Sequence, residues 1–273
     1  MRSTEQSGKS LLWEVTRRDL KKSSYFYGTM HLMCAEDAIL SSAVQELIQE
    51  VDQVYLEVDM NSASELFSEL LEIRSKSGKT LSNTLSETDY HKIKFFFEKF
   101  QPEVPFSVVE KQPPLMIFSA LFELLLPCEH KNGIDMMIIE EAYKHQKKTK
   151  GLETILFQSS IFDSIPYEEQ AKDLVKAIDN LEKNRETMEE MIRVYKDQDI
   201  EQLYSLSSSE ESVVSNYMDL LLFERNRNWM SQFPGIAQNT STLFAVGAAH
   251  LSGQNGVLEL LKKQGYALRP LIN

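Results

Sequence analysis

At 273 residues, 42% hydrophobic and 26% charged, the chain can bury a sizeable core and has the make-up of a folded protein rather than a disordered one. A formal net charge of −12 and a sequence pI near 5.0 argue against nucleic-acid or anionic-membrane partners, which need a basic surface. No run reaches the ~18–20 uninterrupted apolar residues of a membrane span. The longest, Pro113 to Pro127, is broken by Ser119 and Glu123 and reads as a core helix.

Residues 1–10 are polar and read as a flexible lead with no apolar export stretch. Leu11 to Val15 reads as a strand, 17–22 as a charged turn and 24–27 as the hairpin partner. Then comes Tyr25-Phe26-Tyr27-Gly28-Thr29-Met30-His31, an apolar run that stops at a glycine and presents a histidine three residues later. Val44, Leu47, Ile48 and Val51 follow at helical spacing, and after them the strand Val54-Tyr55-Leu56-Glu57-Val58.

From about 61 to 241 the pattern is mostly helical. A helix starts at Asn61 or Ser62 and ends near Gly78; others enter at Thr84 to Glu87 and after Pro113-Pro114. Gly133-Ile134-Asp135 looks like a helix entry in which the Asp135 carboxylate caps free amides. Residues 149–153 form a short strand or extended link, and 167–206 a charged helical stretch. Ser207 to Glu211 opens a long helix to about Met230, which Phe233-Pro234-Gly235 ends. Phe95, Phe96, Phe97, Met136 and Met137 are expected in the core.

The opening pattern then returns. Phe244-Ala245-Val246-Gly247-Ala248-Ala249-His250 is followed by Val257, Leu258 and Leu261, a Gly265 stop and the strand from Tyr266 to Leu271. Two β-loop-α-β units, one near each end, predict an α/β fold: a central sheet built from both units with a large helical insertion between them. The chain reads as one domain over 11–273, with 61–241 as the insertion. A Gly-x-x-His at the carboxyl end of a strand sits where open α/β sheets bind ligands.

His31 and His250 are therefore site candidates, and His91, His130 and His145 read as surface residues. Glu57 interrupts an apolar strand, which is unfavourable unless the carboxylate is at an edge, paired or bound to a metal. Asp59 is its backup. Arg225 sits in the stripe Val214, Met218, Leu221 and Trp229, where a guanidinium either pairs with a carboxylate or snorkels to solvent. Cys34 and Cys128 have no metal or redox spacing and read first as two buried or free thiols, with a single bridge between them left open. H-E-x-x-H, G-x-S-x-G, P-loop and dinucleotide patterns are absent.

Taken together, these residues resemble the TraB/GumN family, whose members include the TIKI proteases and pheromone-shutdown proteins. The resemblance runs from Leu11 to Leu271 on Gly28-Thr29-Met30-His31, Leu56-Glu57-Val58-Asp59, Gly133-Ile134-Asp135, Gly151-Leu152-Glu153-Thr154, Glu224-Arg225-Asn226 and Val246 to Val257. It implies a metal-dependent hydrolase, a peptidase of the TIKI kind. A divalent ion, Mn2+ or Co2+ before Zn2+, would be held by His31, His250 and Glu57. Glu57 would be ligand or general base, and Arg225 would balance an oxyanion or orient a carboxylate. Asp135 and Glu153 would orient those groups by hydrogen bonds. The expected partner is a peptide or protein substrate, with oligomeric state open. The resemblance favours an exported protein (periplasmic, secreted or membrane-tethered), a cytoplasmic place staying open. The competing readings are a non-catalytic peptide-sequestering protein and a metal-independent esterase.

Overall fold

The computed structural model describes residues 9–59, 78–209 and 215–273. The helix expected between Asn61 and Gly78, and the acids Glu210 and Glu211 expected to open a long helix, lie outside the described residues. The chain divides into two compact units. One takes Met1–Asn61, Cys128–Glu153 and Met191–Asn273, the other Ser62–Pro127 and Thr154–Glu190.

The first unit is built on a six-stranded sheet of β1 (Leu12–Thr16), β2 (Ser24–Thr29), β4 (Gln53–Val58), β6 (Lys148–Glu153), β7 (Thr242–Gly247) and β8 (Ala267–Leu271), in the order β6-β4-β7-β2-β1-β8. β3 (Met33–Cys34) and β5 (Lys131–Asn132) form a separate two-stranded ladder. The expected hairpin is present, with Leu12 opposite Tyr27 and Val15 opposite Ser24. β1 is antiparallel to both its neighbours, whereas β6, β4, β7 and β2 run parallel to one another.

Both β-loop-α-β units form as the sequence predicts. β2 leads through the helix Ser42–Glu50 to β4, and β7 through the helix Val257–Lys263 to β8. Ser41 starts the first helix by accepting from the Val44 amide, and Val44, Leu47 and Ile48 are the residues it buries. β7 lies between β4 and β2, and all six of its residues are buried. A strand covered on both faces needs a continuous apolar run, which Leu243 to Val246 supply. Phe26 and Phe244, register neighbours on β2 and β7, stack with ring centroids 4.8 Å apart, and Phe233 packs 5.2 Å from Phe244. β4 is likewise interior, so Glu57 is no edge-strand carboxylate reaching solvent.

The second unit is helical. Its helices include Glu87–Phe100, started by Ser86, Pro114–Leu125, and Tyr167–Asp179, which packs against both of the others. The buried Gln170 ties it together, accepting from the Leu115 amide at 3.2 Å and donating to the Phe162 and Ile165 carbonyls.

Several expectations are corrected. The stretch 167–206 is three helices, Tyr167–Asp179, Leu181–Lys196 and Ile200–Ser207; Gln198, at φ 58°, lies in the second break. The helix Glu224–Ala237 carries Pro234 inside it instead of ending at Pro234, and a π turn, Asp219–Phe223, precedes it. Phe96 and Phe97 are buried, but Phe95 and Met136 are exposed on the outer faces of their helices. Cys34 and Cys128 are not free thiols: they form a disulfide with Cα atoms 5.7 Å apart, inside the ordinary range. The pairing of β3 with β5 brings these distant residues together, with Cys34 opposite Lys131. Among the described residues, no helix is long and apolar enough to cross a membrane.

Candidate active site at the carboxyl ends of four parallel strands

Because β6, β4, β7 and β2 are parallel, their carboxyl ends share one edge of the sheet, and the sequence candidates lie along it. Glu153 ends β6 opposite Val58 of β4, and Glu57 is the penultimate residue of β4. Gly247 ends β7 opposite Thr29, the last residue of β2. His31 follows two residues beyond β2, and His250 closes a 3-10 turn, Ala248–His250, directly after β7. Two helices complete the set: Ile134–Lys144 brings Asp135, and Glu224–Ala237 brings Arg225, Asn226 and Trp229.

Glu57 stands at the centre, 6% exposed. Its Oε1 accepts from the Gly247 amide at 2.7 Å and lies 3.7 Å from both His31 Nε2 and His250 Nε2. Its Oε2 accepts from Arg225 Nη2 at 2.5 Å. Burial pushes this carboxyl up, but Arg225, both histidines and the Gly247 amide outweigh it and hold the group well below the usual carboxylate range.

Arg225 is buried, so it does not snorkel. Its Nε donates to Glu153 Oε1 at 2.8 Å, Nη2 to both Glu153 and Glu57, and Nη1 to the Leu221 carbonyl at 3.1 Å and His250 Nε2 at 3.2 Å. A guanidinium has five N–H donors, and every one is therefore engaged. Burial opposes the Arg225 charge, yet Glu57 and Glu153 outweigh it and raise its pKa. The Trp229 indole lies under the guanidinium at 4.9 Å and donates to Glu153 Oε2 at 3.0 Å. Glu153 itself is raised by burial, against the pull of Arg225.

The two histidines differ. His250 is buried, its ring 4.5 Å from Trp229, and Nδ1 meets Asn226 Oδ1 at 2.7 Å. Burial lowers its pKa to about 3, with Glu57 opposing and Arg225 and His31 assisting. His31 has a side chain 62% exposed and directs Nδ1 at Asp135 Oδ2, 2.7 Å away. Asp135 raises the His31 pKa to about 9 by its charge, with its hydrogen bond and Glu57 adding to the rise. Exposure of the ring lets solvent screen part of that pull.

Asp135 is no helix cap. Gly133 occupies the cap position, and the Asp135 carboxylate accepts from the Thr29 hydroxyl at 2.8 Å as well as meeting His31. Gly133 is needed for that approach, because a Cβ there would lie 2.2 Å from the His31 carbonyl oxygen. His91, His130 and His145 are exposed, as expected, and so is Asp59.

Among the described residues, no group of three His, Cys, Asp or Glu side chains is spaced ready to hold a metal ion. The chemistry of the donors nevertheless suits a cation. Each ring meets an oxygen acceptor at Nδ1, the usual arrangement around a metal-binding imidazole, although His250 Nε2 accepts from Arg225 Nη1, a bond that an ion there would have to displace. A methyl carbon built on Gly247 would lie 3.2 Å from Glu57 Oε1, 3.4 Å from His31 Nε2 and 3.5 Å from His250 Cδ2. Glycine thus leaves a small space bordered by all three groups.

Sequence reasoning missed Asn226, Trp229, Thr29 and the Gly247 amide as parts of this cluster. The first two had a readable signal: Asn226 is adjacent to Arg225, and Trp229 follows it one helical turn later.

An α/β sheet that gathers two histidines and a paired glutamate at the ends of its parallel strands has the layout of a ligand-binding or catalytic α/β protein. The chain belongs to the TraB/PrgY/gumN family, which matches it over residues 11–270. It is similar to the Metalloprotease TIKI1 of Danio rerio, 21% identical over 313 residues that take in 94% of this chain and 62% of the relative. The chain therefore spans less than two thirds of that relative's length. No solved structure matches it.

Proposed function

We propose that this chain is a hydrolase of the TIKI kind, a peptidase that uses a divalent metal ion held by His31, His250 and Glu57. The observation that carries the reading is the space beside Gly247, bordered by the two imidazoles and the carboxylate. Family membership and the named relative support the class of activity. An ion held there would lower the pKa of a water and polarise a scissile carbonyl.

The protein's own groups have distinct parts in this reading. Glu57, kept ionised by Arg225 and the Gly247 amide, is available as ligand or as base toward a water's proton. Arg225 holds Glu57 and Glu153 in place, and an ion taken by His250 Nε2 would release its Nη1. Asp135 orients His31, and the exposed His31 side marks where substrate enters. Mn2+ or Co2+ is the favoured ion, with Zn2+ next. The Cys34–Cys128 bridge supports an exported protein, since such bridges persist in oxidising compartments.

The test is a peptide-library assay on protein stripped with EDTA and reloaded with Mn2+, Co2+ or Zn2+, beside His31→Ala and His250→Ala. The reading expects cleavage that requires metal and is lost in both variants. Folded protein that takes up no metal and cleaves nothing would overturn it in favour of peptide sequestering. Ester hydrolysis that survives chelation would favour metal-independent chemistry.

A further inference from the structure

We infer that Asn226 is a positioning residue that locks His250 in the tautomer with its proton on Nδ1, leaving the Nε2 lone pair to accept from Arg225. The argument starts from the amide itself. Asn226 is 1% exposed, and its Nδ2 lies 2.9 Å from the Asn255 carbonyl and 3.3 Å from the His250 carbonyl. Backbone carbonyls only accept, so the amide's nitrogen must face them and its oxygen must face the ring. That oxygen also only accepts, so the ring nitrogen 2.7 Å away, Nδ1, must carry the hydrogen.

The opposite side of the ring agrees independently. Arg225 has no acceptor, so its Nη1 donates into Nε2 at 3.2 Å, which requires a lone pair there. Two groups on one helix, Arg225 and its neighbour Asn226, therefore read opposite nitrogens of one imidazole. Asn226 also ties together the two ends of the 250–255 loop, because its amide nitrogen donates to the carbonyls of both His250 and Asn255. The consequence for ion binding rests on the proposed function; the tautomer does not.

The experiment is nitrogen-15 NMR of ring-labelled protein, with the His250 signals identified by their loss in His250→Gln. The expected result is a protonated Nδ1 and a pyridine-like Nε2 in the wild type. Asn226→Leu, similar in volume but without an acceptor, should weaken that preference to what Arg225 alone supports, and Asn226→Asp, which keeps one, should retain the Nδ1 proton. Wild-type signals showing the proton on Nε2 would overturn the inference without need of any variant, and so would an unchanged pattern in Asn226→Leu. A Co2+ titration followed by visible absorption should show about 10–100-fold weaker binding in Asn226→Leu. Equal Co2+ affinity in the two proteins would remove the link to ion binding. A wild type that shows the stated tautomer but takes up no Co2+ would sink the proposed function and leave the Asn226 assignment standing.

Discussion

Replacing Gly247 with alanine separates the folding of this site from its function. The backbone there has φ −51° and ψ 134°, a conformation that alanine adopts without strain. The added methyl would meet Glu57 Oε1 at 3.2 Å, His31 Nε2 at 3.4 Å and His250 Cδ2 at 3.5 Å, so neighbours must give by only a few tenths of an ångström. Against this crowding, alanine gains about 0.4–1 kcal/mol by restricting the unfolded chain. The net stability change should stay within about 1 kcal/mol, a melting shift of about 2–4 °C or less. Function should respond differently, because the methyl fills the space that the two imidazoles and the carboxylate border. We expect ion affinity and turnover to fall at least ~100-fold, equivalent to about 2.7 kcal/mol. Thermal melting, calorimetric Mn2+ titration and the peptide assay on one preparation measure all three. A Gly247→Ala protein that binds and cleaves like the wild type would refute the placement of the site.

Three further outcomes follow from the same geometry. Arg225→Met removes the guanidinium that the buried Glu57 and Glu153 carboxylates share and should lower stability by about 3–5 kcal/mol in urea unfolding. A loss under 1 kcal/mol would mean the network contributes little. Acid should destabilise the protein through His250, whose pKa is lowered by burial to about 3 from an unfolded value of about 6.5. The unfolded chain binds the extra proton between those values, so stability falls as pH drops through that window. His31 in the unfolded chain is only half protonated at about pH 6.5 and opposes this slope, and Glu153 is raised by burial, so His250 is read from the difference in slope between wild type and His250→Gln between about pH 6.5 and 5. His250→Gln should flatten that slope, and an unchanged slope would contradict the assignment. Finally, the Cys34–Cys128 bridge closes a span of 94 residues, and its reduction should cost about 4–5 kcal/mol in guanidinium unfolding. Two titratable thiols in denatured, unreduced protein would show that the bridge does not form.

What the sequence revealed depended on how local each feature is. Val44, Leu47 and Ile48, the hairpin Leu12 to Tyr27 and the buried run of β7 are set by neighbours within a few residues, so period and punctuation expose them. Glu57 was conspicuous because a carboxylate in an apolar strand violates its local pattern, and Arg225 for the same reason on a helix. Which groups they meet was not legible, since Arg225 lies 168 residues from Glu57 and 72 from Glu153. The cystine was hidden for a related reason: only the β3–β5 ladder, invisible in two-residue strands, brings Cys34 to Cys128. Read locally, Asp135 looks like a cap, because an acid in a helix's first turn is ordinarily stabilised by nearby amides, and only the family resemblance gave it an orienting part. Here Thr29 and His31, across the chain, claim it.

His31 carries the proton that an arriving ion would have to displace. Among the described residues, Glu57 and Glu153 both pair with the Arg225 guanidinium, while Asp135 meets His31. The Asp135 charge raises the His31 pKa to about 9. A folded pKa above the unfolded ~6.5 means this proton stabilises the protein fully below that value. The contribution is lost as pH rises toward about 9. A divalent ion bound through His31 must expel the same proton, since a ligating imidazole is neutral. Mn2+ titrations in buffers of different ionisation enthalpy should therefore report release of about one proton at pH 7, declining as pH passes about 9. Asp135→Asn should cut the release at pH 7 by returning His31 toward its ordinary value. Tight Mn2+ binding at pH 7 with no proton released would show that His31 is not the group the ion displaces a proton from, and would remove it from the ligand set.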